Sequence, residues 1–141
     1  MTKHLISLLL SALSFNVNAS GCFDTRWGGF ESEKVNEFAM SKADVIFRGK
    51  NVYTEKTISR FENEEEYVQK VESHWGDLSI MKGESRKEMK LIADTPCSCK
   101  KIFEPGLRYV IYATMNTNGV FVPFSCYFVS RESEFDKLYK N

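Results

Sequence analysis

The N-terminal segment places the strongest constraint on what this chain can fold into. A basic start around Lys3 precedes an uncharged, largely apolar run over residues 5–15, and Ala19 follows as a small residue. This is the three-part layout of a secretory signal peptide. The run of about 11 residues is well short of the roughly 20 that a membrane-spanning helix needs. We therefore expect residues 1–19 to be removed on export and residues 20–141 to fold as a single domain.

Two cleavage positions fit this segment. Cleavage after Ala19 leaves Ser20 and Gly21 at the N-terminus, whereas cleavage after Gly21 makes Cys22 the first residue. Residues 19–22 also resemble the lipidation site of bacterial lipoproteins, with alanine where leucine is usual. We expect a secreted protein, extracellular or periplasmic. The alternative is a membrane-anchored lipoprotein, which requires lipidation of Cys22.

Four cysteines follow the predicted signal peptide: Cys22, Cys97, Cys99 and Cys126. An even number of cysteines in a small exported chain predicts two disulfides. Cys97 and Cys99 would strain to bond each other, and a bridge between them would close almost no loop and stabilise little. One of them is therefore expected to bond Cys22 and the other Cys126, and the spacing leaves both arrangements open.

The charge balance excludes some classes of partner. The predicted signal peptide contains Lys3, one of the 19 basic residues, and none of the 19 acidic ones, so the remainder has a formal net charge of −1. A nucleic-acid-binding protein needs a basic face. We expect neither a nucleic-acid partner nor charge-driven binding to anionic lipid.

The local patterns predict a β-rich domain with short helices at its two ends. Ser32 can cap a helix over residues 32–41, in which Val35, Phe38 and Ala39 share one face. A last short helix is expected to begin at a serine cap and to carry an apolar side; its residues are Ser130 or Ser133 as cap, then Phe135 and Leu138. Five strands are expected between the helices, over residues 45–53, 67–75, 88–93, 107–113 and 120–129.

Single residues refine this pattern of strands. Gly49 predicts a bulge or sharp bend in the first strand. Asn118 and Gly119 are typical of a tight hairpin turn, and Pro123 predicts that part of the last strand lies on an edge. Five strands joined by turns favour a small closed or half-closed antiparallel barrel, since closure removes exposed strand edges.

Several phrases of the sequence then occur in a characteristic order. They are Cys22, Phe38-Ala39, residues 43–50 (ADVIFRGK), Trp75-Gly76, Ser98-Cys99, residues 103–106 (FEPG), residues 108–113 (RYVIYA) and residues 125–129 (SCYFV). In order and spacing they resemble the inhibitory domain of the tissue inhibitors of metalloproteinases, which belongs to the netrin-like group. The resemblance covers nearly the whole chain after the signal peptide, and it implies a five-stranded antiparallel OB-fold barrel stapled by disulfides.

The resemblance also implies a function. In that family an N-terminal cysteine grips the catalytic zinc of a metalloprotease through its free amine and carbonyl, while a disulfide holds it rigid. Cys22 is the matching position, and it can act in this way only as the first residue of the mature chain. The family begins Cys-x-Cys, but Asp24 stands in the second slot here and Cys97 is extra. The resemblance therefore implies the pairs Cys22–Cys99 and Cys97–Cys126.

No other pattern in the chain predicts chemistry. The sequence contains no nucleophile with a base and an orienting acid, so we expect no enzyme activity, no cofactor and no intrinsic metal site. The glutamates near residues 62–66 are interpreted as a solvated loop, because they lack the spacing of a calcium loop. Partly exposed aromatic residues could contact a ligand, and the sequence does not single one out; they are Trp27, Phe30, Tyr53 and Phe61.

Taken together, these patterns predict a monomeric exported module that binds a protein partner. The resemblance implies that the partner is a zinc metalloendopeptidase. The alternative is a periplasmic or lipid-anchored OB-fold binding protein with no protease-inhibitor activity.

Overall fold

A computed structural model describes residues 33–95 and 98–139, and these residues form two α-helices, six strands and one 3-10 turn. The helices are α1, Glu33–Lys42, and α2, Glu132–Tyr139. The strands are β1, Val45–Arg60; β2, Glu66–Lys82; β3, Met89–Ala93; β4, Arg108–Met115; β5, Phe121–Pro123; and β6, Val129–Arg131. The 3-10 turn, Cys126–Phe128, lies between β5 and β6.

Five of the strands close into a ring. Neighbouring strands pair in the order β1-β2-β3-β5-β4, and β4 pairs back onto β1 from Ala113 opposite Val45 to Arg108 opposite Lys50. The short strand β6 lies beside the first half of β4, outside the ring. The predicted β-rich class with flanking helices is therefore confirmed.

One pair of strands departs from the antiparallel expectation. β3 and β5 run parallel and meet at Leu91 opposite Phe121, while the other pairs of the ring are antiparallel. The reason is topological. A closed ring with an odd number of strands cannot alternate direction at every step, so one neighbouring pair must be parallel.

The ring encloses one apolar core, and the helices build a second one on its outer surface. The inner core is aromatic at its centre, where the Trp75 ring meets those of Phe103 and Tyr109 edge to face, at centroid distances of 4.8 and 5.7 Å. In the outer core Val110 and Tyr112 of β4 pack against side chains of both helices and of the 3-10 turn. β4 is therefore buried on both faces, as its almost continuous apolar run predicts.

Several local predictions are confirmed. The register between β1 and β2 slips across Gly49, and a Cβ atom there would lie 2.7 Å from a methyl carbon of Leu78. The β4–β5 hairpin turns over residues 116–119, and Gly119 has a φ of +77°. Only Gly119 of the expected Asn118-Gly119 pair has a positive φ.

Other predictions about the elements are wrong. The strand predicted over residues 67–75 continues to Lys82, and the strand predicted over residues 120–129 is broken by the 3-10 turn. The prediction from Pro123 is not among these errors: Pro123 is buried and pairs with Ala113 of β4, whereas β5 meets β3 only at Phe121, so no described strand pairs with Pro123 on its other side. Helix α2 begins at Glu132, so neither expected serine caps it.

The apolar faces of the two helices also differ from expectation. Phe38 is 45% exposed, and its place against the outer core is taken by Asn36, which accepts a hydrogen bond from the Tyr112 hydroxyl. Leu138 is 50% exposed, whereas Phe135 is buried as predicted. A buried polar residue that supplies a specific hydrogen bond is not visible in an apolar periodicity.

The buried hydroxyl of Tyr112 gives the fold a pH dependence. Burial raises the pKa of Tyr112 from 10.0 to about 12. Its contribution to stability is complete below pH 10, where both states hold the proton, and is lost as the pH rises through the folded pKa. We expect the free energy of unfolding to fall by about 2–3 kcal/mol as the pH rises from the ordinary pKa of tyrosine, 10.0, to the folded pKa, about 12.

Urea unfolding at a series of pH values measures this effect. The matched control is Tyr112→Phe, in which the decline should be smaller by that amount because the other titrating groups are unchanged. An equal decline in both proteins would contradict the assignment.

Candidate binding surface

The hairpin of β1 and β2 extends beyond the ring as a two-stranded arm. β1 is paired with β4 only as far as Lys50, and β2 is paired with β3 only between Val71 and Trp75. The two strands remain paired with each other as far as Arg60 opposite Glu66. We define the arm as residues 57–70, in which the two strands pair only with each other; residues 53–56 and 71–74, where β2 still pairs with β3, form its base.

The arm displays stacked aromatic side chains in solvent. At its tip the rings of Phe61 and Tyr67 stack with centroids 4.4 Å apart, although the two residues are 55% and 37% exposed. At its base Tyr53 stacks on His74 at 4.2 Å. Ile58, between the two stacks, is 41% exposed. Stacked rings offer large contact area with little conformational entropy to lose, which is typical of residues that anchor protein interfaces.

The tip of the arm is acidic as well as aromatic. Residues 60–67 contain one arginine and four exposed glutamates, a formal net charge of −3. The Arg60 guanidinium lies 3.2 Å from the carboxylate of Glu66. The turn is held by a hydrogen bond from the Glu64 N–H to the Phe61 carbonyl, 2.9 Å long, as Glu64 takes a left-handed φ of 67°. The prediction of a solvated acidic loop is therefore confirmed.

The base of the arm carries a hydrogen-bonded ionisable pair. The Nε2 atom of His74 lies 2.9 Å from a carboxylate oxygen of Glu72. This hydrogen bond holds the pKa of the Glu72 carboxyl below its ordinary value of 4.5. The stabilisation is present above the ordinary pKa of glutamate and is lost as the pH falls through the lower, folded value. At neutral pH the base of the arm therefore carries a carboxylate.

The predicted site residue Cys22 lies outside the described residues, as do Cys97 and the predicted signal peptide. The disulfide map implied by the resemblance is wrong, because Cys99 is bonded to Cys126. The Cys99 N–H donates to the Pro123 carbonyl at 3.2 Å and so brings Cys99 to the segment that leads into the 3-10 turn. Cys22 cannot then pair with Cys99, nor Cys97 with Cys126. The bond agrees with the spacing argument, which left this arrangement open.

Sequence reasoning found part of this surface. Tyr53 and Phe61 were among the aromatic residues named without preference, and the other two of that set, Trp27 and Phe30, lie outside the described residues. Ile58 and Tyr67 were missed. Their only sequence signal is an apolar residue among charged neighbours, which is also common on ordinary protein surfaces.

The described residues contain no cluster of three or more side chains able to hold a metal ion. A helix with the length and apolar character to cross a membrane is likewise absent from residues 33–95 and 98–139. No family model matches the chain, and no curated protein matches it either.

Proposed function

We propose that this chain is a protein-binding module whose contact surface is the arm. The observation that carries the proposal is the stacked pair Phe61 and Tyr67, held in solvent at the end of a hairpin that projects from a closed ring. Burial of two preformed aromatic stacks removes apolar area from water at low entropic cost. The ring supplies the rigid support, because its two cores fix both strands before they leave it.

The chemistry of the tip indicates the chemistry of the partner. An aromatic pair surrounded by four glutamates fits an apolar pocket whose rim carries lysine or arginine. Opposite charges at a rim speed association and favour the correct register more than they add affinity. We therefore propose a protein partner with a basic-rimmed apolar pocket.

We also propose that the ring is an OB-fold barrel. Five strands in the order β1-β2-β3-β5-β4, closed by the pairing of β4 with β1, support this assignment. Such barrels bind varied partners through loops and one face. The fold alone does not name the partner.

The resemblance to the tissue inhibitors of metalloproteinases supports a narrower proposal. In that version the module is exported, is not an enzyme, and acts on a zinc metalloendopeptidase that Cys22 grips once it has become the N-terminal residue. Because Cys99 is taken by Cys126, the rigid anchoring of Cys22 would depend on Cys97. The alternative proposal is a periplasmic or lipid-anchored binding protein without inhibitor activity.

Photo-crosslinking tests the contact surface. A photoreactive phenylalanine analogue is placed at Phe61 in one protein and at Leu138, 50% exposed on α2, in another. Each protein is mixed with the exported proteins of its own source. We expect a defined adduct from position 61 that unlabelled wild type suppresses. An adduct formed from position 138 and absent from position 61 would overturn the proposal.

Competition by variants gives the size of the effect. The double variant Phe61→Ala/Tyr67→Ala should suppress the adduct at least about 30-fold less well than wild type, since interface anchors contribute about 2 kcal/mol or more. The matched control is Tyr127→Ala/Leu138→Ala, which truncates residues 48% and 50% exposed outside the arm and should compete like wild type. Equal competition by both double variants would contradict the assignment.

The identity of the adduct decides between the narrower proposals. Two findings together would support the inhibitor. One is a zinc metalloendopeptidase in the adduct, and the other is inhibition of that protease by a mature chain whose measured mass shows that it begins at Cys22. A mature chain that retains Ser20, or that carries a lipid on Cys22, contradicts zinc gripping and favours the alternative.

A further inference from the structure

One edge of the hairpin formed by β1 and β2 has no neighbouring strand in the described part of the chain. β1 pairs with β4 only as far as Lys50, and the backbone bonds on that side end at Asn51, whose N–H donates to the Leu107 carbonyl at 2.9 Å. Beyond Asn51, β1 pairs with β2 alone until it ends at Arg60. Alternate residues of an antiparallel strand point their N–H and C=O groups away from the partner strand. We define the open edge as residues 54–60 of β1.

The open edge is regular and contains neither a proline nor a bulge, two devices that keep strand edges from pairing. The slip in register after Thr57 comes from an extra residue in β2, Gln69, and not from β1. Thr54, Thr57 and Ile58 are β-branched residues, which favour strands. A two-stranded hairpin is marginally stable in water, and further strands stabilise it. The open edge therefore suits a third, extended strand.

A second copy of this chain presents the same edge, and the charges select one way of pairing two copies. Directly opposite residues share a face of the sheet, so an antiparallel pair with two-fold symmetry places one residue opposite itself. An axis at Glu55 or Lys56 would place that charge opposite its own copy. An axis at Ile58 would place Lys56 opposite Arg60. Like charges directly opposite each other destabilise a sheet, and an axis at Thr57, the midpoint of the open edge, avoids all of these contacts.

An axis at Thr57 also brings exposed aromatic residues together. Just outside the open edge, Tyr53 of one copy lies opposite Phe61 of the other, and these residues are 42% and 55% exposed in the single chain. Each of them already stacks on a ring of β2, His74 or Tyr67. The register therefore aligns two stacked pairs side by side, and aromatic pairs across neighbouring strands stabilise a sheet.

The ends of the two hairpins are complementary in charge. The tip that follows the open edge carries four exposed glutamates and has a formal net charge of −3 over residues 60–67. In this register the tip of each copy reaches the other copy where β1 leaves β4, and Lys50 is exposed there. A second copy therefore meets opposite charge at both ends of the shared edge.

We propose that two copies of this chain pair through their open edges, antiparallel about a two-fold axis at Thr57, and so join their hairpins into one four-stranded ribbon. Edge pairing buries less area than a standard interface, so the dimer is weak and forms as the concentration rises. It differs from the monomer expected from the sequence. The pairing covers edges and not faces, so each copy keeps its aromatic rings exposed to a partner; this last consequence alone rests on the proposed function.

Sedimentation equilibrium of the mature protein alone tests the dimer. We expect the weight-average mass to rise from that of one chain toward that of two between about 1 µM and 1 mM. The mass of one chain throughout this range would overturn the proposal. Slow hydrogen exchange of residues 54–60 in such a monomer would show that another part of the chain occupies the edge.

Two glutamate variants test the register. Thr57→Glu lies opposite Lys70 within its own hairpin but opposite its own copy across the axis, so it should weaken the dimer at least about fivefold. The matched control is Ile58→Glu, which adds the same charge one residue away and lies opposite Lys56 of the other copy. It should not weaken the dimer. Equal weakening by both variants would contradict the register.

The photoreactive analogue at Phe61 locates the contact in the protein alone. In the covalent dimer it should be attached to Tyr53 of the other copy, and attachment to α1 or α2 would overturn the proposal. The dimer and the proposed function fail separately. A dimer whose position 61 captures no other protein would contradict the function and support the dimer, whereas a monomer that captures another protein at position 61 would contradict the dimer alone.

Discussion

Replacement of Trp75 by alanine should lower the free energy of unfolding by about 3–5 kcal/mol, the usual range for a large aromatic residue removed from a core. Trp75 is 1% exposed, and its ring meets those of Phe47, Phe103 and Tyr109 edge to face. Its indole N–H donates to the Ser73 hydroxyl at 2.9 Å. The variant therefore leaves a cavity in the inner core and a buried hydroxyl without its donor.

Urea unfolding followed by far-UV circular dichroism measures this loss. The matched control is His74→Ala, one residue away on the opposite face of β2, where the side chain is 29% exposed. Its removal should cost less than about 1 kcal/mol, as is usual for a partly exposed residue. A loss from Trp75→Ala as small as that of the control would contradict the description of the inner core.

Removal of the described disulfide should have an effect of similar size. The double variant Cys99→Ala/Cys126→Ala is expected to lose about 3–4 kcal/mol, because the bridge closes a loop of intermediate length in the unfolded chain. The two residues are separated by 27 positions and tie the segment before β4 to the segment after β5. Both cysteines are replaced together so that no reactive thiol remains from this pair.

Peptide mapping gives an independent test of connectivity. Tryptic digestion of Cys97→Ala without reduction, in which Cys99 is the one cysteine of its peptide, should release a pair joined through Cys99 and Cys126. A pair that joins Cys99 to Cys22 would restore the map implied by the resemblance and contradict the structure. A stability loss below about 1 kcal/mol would show that the bridge adds little to the fold.

The strands of the ring could be predicted from the sequence because they bury apolar side chains, which produces clear apolar runs and alternation. Residues 107–113 are nearly all apolar, and β4 is indeed buried on both faces. Gly49 lies where a neighbouring side chain approaches too closely for a Cβ atom, and Gly119 lies where the backbone has a positive φ. Each of these features reflects a local steric or hydrophobic demand, so one sequence is enough to reveal it.

The arm could not be predicted from the sequence, because its strands bury few side chains and therefore show no strong apolar pattern. In the arm, both strands are exposed for most of their length, so polar and apolar residues do not alternate strictly. Its strands are held by pairing with each other, which a single-strand pattern does not show. The parallel contact of β3 with β5 joins residues distant in sequence, and the map of the cysteines depends equally on tertiary contacts.

The candidate surface was accordingly predicted only in part. An exposed Phe61 follows from its acidic neighbours, but its stacking on Tyr67 requires the hairpin register that brings the two rings together. Prediction of an aromatic contact surface from sequence therefore needs the pairing of the strands as well as the identity of the residues.

Hydrogen exchange of the protein alone and bound to its cross-linked partner tests the central proposal most directly. Amides of the arm, residues 57–70, should exchange more slowly in the complex, with the largest change around Phe61 and Tyr67, while α1 and α2 exchange as in the free protein. Slowed exchange confined to the helices or to the outside of the ring, with the arm unchanged, would contradict the arm as the contact surface.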